Sequence, residues 1–314
     1  MINQQKITQL LEHHGYPVKT LEKVKTGRFN DSYKVTLNTP DSQKVFLRIA
    51  PSSQEGLLFY ERDMMKQEPA IHKRVRENTS IPVPEIFVYD ESGEIIPQPY
   101  MIMEYIEGTS LSLAPLSGKI MGKVMQQTGK YLRELHQNIY SDQYGYRGEH
   151  HCMEPQKSWK DAFEIMWNKL IEDIYQCGVY SIDDKQLAEQ ALQRNLHHFD
   201  YNQKASLLHM DIWGQNILVD DKGNIQGILD WDRALWGDPE IEFAVLDYVG
   251  FDQSSFWEGY GNKPEASSSF NIRKVFYLLY EVQKYLVIWT CRRSGMESQV
   301  NQYRQLSLNQ LDKI

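Results

Sequence analysis

Cysteine is scarce in this chain. Cys152, Cys177 and Cys291 are the only three in 314 residues, an odd count with no CxxC spacing, so neither a disulfide framework nor a zinc site is expected and a reducing cytoplasm is the expected setting. Long apolar runs are missing too. Even Val275–Cys291 is interrupted by Glu281, Gln283 and Lys284, short of the roughly 18–20 residues that span a bilayer, so no membrane partner is expected. The opening MINQQKITQLLEHHG is too polar for the core of a secretory leader. Nor is there a surplus of positive charge. Against 42 Asp and Glu stand 34 Lys and Arg, a formal net charge of −8, which argues against nucleic acid as a main partner and suits a cationic small substrate. That acidity lies late, because the chain up to Tyr105 holds 13 basic and 14 acidic residues and the remainder holds 21 and 28. Internal repeats and low-complexity linkers are also lacking. With 41% hydrophobic and 24% charged residues, the chain is too apolar to stay disordered and can bury a core. Its length suits one large domain or two ordinary ones.

Two kinds of patterning divide it. Ile2, Ile7, Leu10 and Leu11 have helical spacing before Gly15 and Pro17, which predicts a short opening helix. Leu21–Thr26, Asp31–Leu37 and Lys44–Ile49 alternate apolar and polar residues between turn signals, as antiparallel hairpins do. Gln54–Asn78 is long enough for a helix kinked or broken at Pro69. Two further strands, Glu85–Tyr89 and Tyr100–Tyr105, complete a five-stranded part. From Leu116 onward Ile120–Gln137, Trp159–Cys177, Asp183–Phe199 and Phe270–Arg293 carry helical periodicity. Ser206–Ile228 breaks that pattern with short apolar runs around polar loops, as two small β-ribbons would. The short junction YIEGTS at Tyr105–Ser110 predicts two parts packed across a cleft, 1–105 and 106–314.

The densest polar constellation is LLHMDIWGQNILVDDKGNIQGILDWD. Within it Asp211 precedes Asn216 by five residues and Asp230 follows fourteen later, at the end of the apolar run Ile225–Leu229. Phosphoryl transfer needs a carboxylate to accept the attacking hydroxyl's proton and hard oxygen ligands to hold Mg²⁺ on the phosphates, and these residues supply both. The segment resembles the catalytic and metal-binding loops of the aminoglycoside phosphotransferase and choline kinase group, whose fold is similar to that of protein kinases. The continuation ILDWDRALWGDPEIEFA strengthens the likeness to the antibiotic-kinase branch, which follows its metal aspartate with a Trp and then a Gly-Asp-Pro turn into a helix.

The resemblance implies an α+β, bilobal protein-kinase-like fold, with an antiparallel sheet plus helix first and a mainly helical lobe after it. It also implies that Asp211 is the catalytic base, that Asn216 and Asp230 are Mg²⁺ ligands and that His209 braces the loop. Asp238 would cap the following helix or brace the loop, and Glu242 stands where relatives carry Asp. In the nucleotide-covering loop Gly27–Tyr33, Asn30 and Ser32 are either turn-forming or phosphate-facing. Arg48 in VFLRIAP stands in place of the strand lysine that contacts the α and β phosphates, with Glu68 as its helix partner and Glu61 as a rival. The backbone around Glu104–Ile106 would take the purine of ATP or GTP. The implied acceptor is a small-molecule hydroxyl, led by aminoglycoside-like, cationic compounds. Choline, ethanolamine, a macrolide or another metabolite is the alternative, as is a pseudokinase that binds nucleotide without turnover, for which Arg48 is the main support. Adjacent histidine pairs such as His13-His14 point apart and are not read as ligands. Trp159, Phe163, Met166, Trp167 and Leu170 are read as core.

Overall fold

The computed structural model describes residues 2–24 and 29–314. Residues 25–28, the end of the first expected strand and the start of the expected nucleotide loop, lie outside the described residues. Helix α1 (Gln4–His13) is capped by the Asn3 side chain and buries Ile7, Leu10 and Leu11. Strands β1 (Val18–Val24), β2 (Asp31–Leu37) and β3 (Lys44–Ile49) follow. The expected helix over Gln54–Asn78 is shorter than its pattern suggested. A single 3₁₀ turn at Met64–Gln67 leads into α2 (Glu68–Asn78), with Pro69 in its first turn. Proline at that position costs no intrahelical hydrogen bond, so it starts this helix rather than kinking a longer one. With β4 (Ile86–Asp90) and β5 (Tyr100–Glu104), the strands form an antiparallel sheet in the order β1-β2-β3-β5-β4.

Strand β6 (Thr109–Ser110) leads into the helical part, built from α3 (Gly118–Asn138), β7 (Tyr140–Ser141), α4 (Trp159–Gln176) and α5 (Ile182–Asn195). The strands β8 (Ala205–Leu208), β9 (Ile217–Val219), β10 (Ile225–Ile228) and β11 (Leu235–Gly237) come next, then α6 (Glu240–Tyr248), α7 (Ser254–Tyr260), α8 (Ser268–Arg292) and α9 (Glu297–Leu311). One expected ribbon is present as the β9–β10 hairpin, extended by β6. Strand β8 instead pairs with β7 and β11. Trp159, Phe163, Met166, Trp167 and Leu170 are fully buried on the inner face of α4. At Gly237 a Cβ would run into the Trp159 ring, so the end of β11 requires glycine for close approach. No helix among the described residues is long and apolar enough to cross a membrane.

The cysteine expectation is corrected here. Cys177, the C-cap of α4, is joined by a disulfide to Cys291 in the last turn of α8, 114 residues away. A pairing across that separation is made by helix packing and leaves no spacing to read. A cross-link closing so long a loop restricts the unfolded chain, so reducing it, or substituting Cys177→Ser, is expected to lower stability by about 2–4 kcal/mol. Urea midpoints of the oxidised and reduced protein check this, and coincident midpoints would disprove it.

Candidate active site

Strand periodicity delivers the first half of the site. In β3 the period of two turns Val45, Leu47 and Ile49 into the core beside α1, and sends Phe46 and Arg48 to the cleft. Ser32 in β2 and Met101 in β5 stand opposite Arg48 in register. The Arg48 guanidinium is buried and fully engaged. Its Nη1 donates to both oxygens of Glu68 at 2.9 and 2.7 Å, and its Nη2 donates to Asp230 at 2.7 Å and Asp232 at 3.1 Å. Glu61, the rival partner, instead accepts from the Leu58 amide and from Arg292. Burial disfavours charge on Arg48, but Glu68, Asp230 and Asp232 outweigh it and hold the guanidinium above its ordinary range. Burial, opposed by Arg48, raises the Asp230 carboxyl, while burial, Asp230 and Glu68 drive Asp232 well above the usual range. Asp230 keeps 38% of its side chain exposed toward the cleft, so solvent tempers that push.

The catalytic-loop segment is held by hydrogen bonds to groups remote in sequence. Met210 and Asp230 have φ of 65° and 67°, a left-handed conformation costing non-glycine residues of order 1–3 kcal/mol when the surroundings impose it. Fully buried Glu242 accepts from the Met210 amide at 2.6 Å and the His209 amide at 3.3 Å, and is held in turn by the His136 ring at 2.7 Å. Burial would raise the Glu242 carboxyl, but the His136 contact outweighs it and keeps it below its ordinary value. Glu242 therefore braces the loop, while Asp238, one residue before the N-cap Pro239, accepts from the Glu240 amide at the start of α6 at 3.0 Å and from the Tyr277 hydroxyl at 2.9 Å. His209 accepts the Asp211 amide on Nδ1 at 3.1 Å and meets the Leu229 carbonyl through Nε2 at 3.0 Å. That pairing requires the neutral ring protonated on Nε2, and burial lowers the ring's pKa to match.

Two further groups hold Asp211. Asn216 donates to its Oδ2 at 2.7 Å and Arg233 to its Oδ1 at 3.1 Å. Burial pushes this carboxyl up, yet Arg233, then Lys284 and His209, bring it below the ordinary aspartate range, so it is ionised at neutral pH. Arg233 also donates to Glu281, which accepts from Lys284 as well. Because the Asn216 amide nitrogen is spent on Asp211, its Oδ1 is the atom open to a cation. The Leu229 amide donates to the Asn216 carbonyl at 2.8 Å and so ties Asn216 to the residue preceding Asp230. An amide oxygen and a cleft-facing carboxylate form a hard donor set that fits Mg²⁺. Glu68, Asp230 and Asp232 also bring oxygens within 4.8 Å of one another, but their shared cation is Arg48.

These groups open on one cavity of about 880 Å³. Ser32, Arg48, Glu104, Ile106, Asp211, Asn216 and Asp230 all line it, whereas Glu68 lies behind Arg48. Asn30 does not reach the wall, and its Oδ1 is buried without a partner among the described residues. At the junction the Glu104 amide is committed to the Glu85 carbonyl at 2.8 Å, while the Ile106 amide has no backbone partner among the described residues. Sequence reasoning missed Asp232, Arg233, Glu281 and Lys284 as site residues. For the last two a signal existed, since they are charged positions inside the largely apolar stretch Val275–Cys291, and the structure leaves them 2% and 6% exposed. Such groups are seldom buried unless paired.

Comparison with known proteins agrees with this geometry. Residues 20–263 match the phosphotransferase enzyme family. A probable ketoamine kinase of Staphylococcus aureus is 23% identical over 290 residues, covering 89% of this chain and 91% of its own. The ketosamine-3-kinase of Mus musculus is 26% identical over 287 residues, covering 85% and 89%. Among solved structures, a thermostable mutant of aminoglycoside phosphotransferase APH(4)-Ia in ternary complex with AMP-PNP and hygromycin B superposes with a TM-score of 0.65 at 18% identity, covering 97% and 96%. At that identity it speaks for the kinase-like fold alone. The match over most of the chain, on a fold and a cleft of this kind, shows that the protein belongs to the phosphotransferase enzyme family and is a small-molecule kinase with a hydroxyl acceptor.

Proposed function

We propose that this kinase transfers the γ-phosphoryl group of ATP or GTP to a hydroxyl of a ketosamine-like acceptor, with 1–105 as the nucleotide-covering lobe and 106–314 as the catalytic and acceptor lobe. The observation that carries the reading is the convergence of Arg48, Asp211, Asn216 and Asp230 on one cleft. Asp211, ionised and aimed by Asn216 and Arg233, orients the acceptor hydroxyl and takes its proton. The new O–P bond forms as the bond from Pγ to the bridging oxygen breaks, and the nucleoside diphosphate leaves. Asn216 and Asp230 would hold Mg²⁺, which neutralises charge on the phosphates when bound. Arg48, oriented by Glu68, steadies the tail phosphates. The Ile106 amide, with the backbone at Glu104, takes the purine edge, and Ser32 faces the phosphates.

A ketosamine ranks above an aminoglycoside as acceptor because relatives spanning most of the chain are named a probable ketoamine kinase and a ketosamine-3-kinase. The expected cationic character of the acceptor draws no support from the cavity, where the acidic surplus of the chain does not collect. The test is to incubate the protein with Mg²⁺ and ATP or GTP against ketosamines, aminoglycosides, choline and ethanolamine. Phosphorylation of ketosamines with a kcat/KM at least about tenfold above the others is expected. Turnover of none would favour the pseudokinase reading instead.

A further inference from the structure

Where α8 lines the cleft, the wall carries a charge opposite to that of the chain. Helix α8 faces the cleft with Glu281, Tyr285, Ile288 and Arg292, spaced three or four residues apart on one stripe, and with Lys284 beside them, and Arg293 follows at the rim. Tyr60, Val245, Tyr248 and Val249 line the same part of the cavity. Four cationic side chains, Arg233, Lys284, Arg292 and Arg293, meet three anionic ones, Asp211, Glu281 and Glu61. The pairings use up all but one of the cations. Arg233 is shared between Asp211 and Glu281, Lys284 is taken by Glu281, and Arg292 by Glu61 at 2.6 Å. Arg293 is exposed and has no ion pair or hydrogen bond among the described residues. In a protein of net charge −8, a cleft wall whose unspent charge is positive attracts anions.

Resting on the function proposed above, we infer that Arg293, flanked by Arg292, is a specificity-determining site for an anionic group of the acceptor, carried remote from the hydroxyl that is phosphorylated. Arg233 and Glu281 mark the level of Asp211, and Arg292 lies eleven residues further along α8, about 16 Å at 1.5 Å per residue. Tyr248, Tyr285 and Ile288 line the interval with apolar surface. The acceptor this wall fits is elongated, with a polyol at one end, an aliphatic middle and a carboxylate or phosphate at the other end.

The test compares three acceptors of one length: a ketosamine of an amino acid with its carboxylate free, the same compound with that carboxylate as an amide, and a counterpart carrying a phosphate there. Each is assayed with the wild-type protein and with Arg293→Glu, Arg293→Ala and Arg293→Lys. The wild type is expected to favour the charged compounds over the amide by about tenfold in kcat/KM. Arg293→Glu should erase that preference, Arg293→Lys should keep most of it, and the amide and the nucleotide KM should stay within about twofold throughout. The larger of the two charged responses identifies the source of the anion. Equal turnover of charged and amidated compounds by the wild type overturns the inference while leaving the ketosamine reading intact. A raised nucleotide KM in the variants would also overturn it, by assigning Arg293 to the triphosphate. Turnover of none of the three compounds defeats the ketosamine reading itself, and the inference falls with it.

Discussion

Asp211→Asn is expected to lower the rate of phosphoryl transfer by about 10²–10⁴-fold, the span associated with loss of a positioned general base, while nucleotide affinity stays within about twofold. The asparagine is nearly the same shape and can still accept from Arg233, whose guanidinium would otherwise lose one of its two carboxylate partners. What it cannot do is take a proton at neutral pH. The native carboxyl is held below the ordinary aspartate range by Arg233, Lys284 and His209 against the opposing effect of burial. A positioned, ionised base is what the surrounding hydrogen bonds maintain, and the variant removes that ionisation together with the hydrogen bond from Asn216 to the second oxygen, while the Arg233 contact stays. Single-turnover kinetics with saturating acceptor, combined with calorimetric titration of the nucleotide, separate the two effects. A rate within about fivefold of the wild type would exclude Asp211 as the base.

Arg48→Ala should be the most destabilising single change in the cleft. It strips the common partner from Glu68, Asp230 and Asp232, and Glu68 and Asp232 are 0% and 4% exposed. Removing one side of a buried ion cluster typically costs about 3–5 kcal/mol, because the remaining charge has lost its counterion and is still out of water. The pH dependence carries a definite sign. A carboxyl whose folded pKa is raised above its unfolded value binds a proton on folding, so it destabilises increasingly as pH rises from the unfolded pKa to the folded one. Asp232 is already raised well above the usual range with Arg48 present, and losing the guanidinium raises it further. The stability deficit of Arg48→Ala should therefore shrink as pH falls from 8 toward 5. Urea unfolding at both pH values checks it, and a deficit that grows on acidification would contradict the account. Arg48→Lys should recover only part of the loss, since one ammonium cannot reproduce a planar fork that serves three carboxylates.

Much of this was legible in the sequence because local chemistry decided it. Alternation in β2 and β3 fixed which residues face the core, and with them the cleft-facing position of Arg48. The helical stripe of α4 marked Trp159 and its neighbours as core. Asp211, Asn216, Asp230 and the Gly237-Asp238-Pro239 turn lie within one short stretch and could be read together. Helices α7 and α9 were not foreseen, and the first half of Gln54–Asn78 did not become helix, because Pro69 begins α2 instead of interrupting it.

Only tertiary packing chose Glu68 over Glu61 as the partner of Arg48, or joined Cys177 to Cys291. It also set Arg233 and Lys284 beside Asp211 and withheld Asn30 from the cavity. Composition speaks for the surface as a whole, where the acidic residues are spread, whereas a site is an intersection of elements far apart in the chain. Ion pairs and disulfides depend on distances of a few ångströms between such elements, and periodicity along one segment carries no information about them.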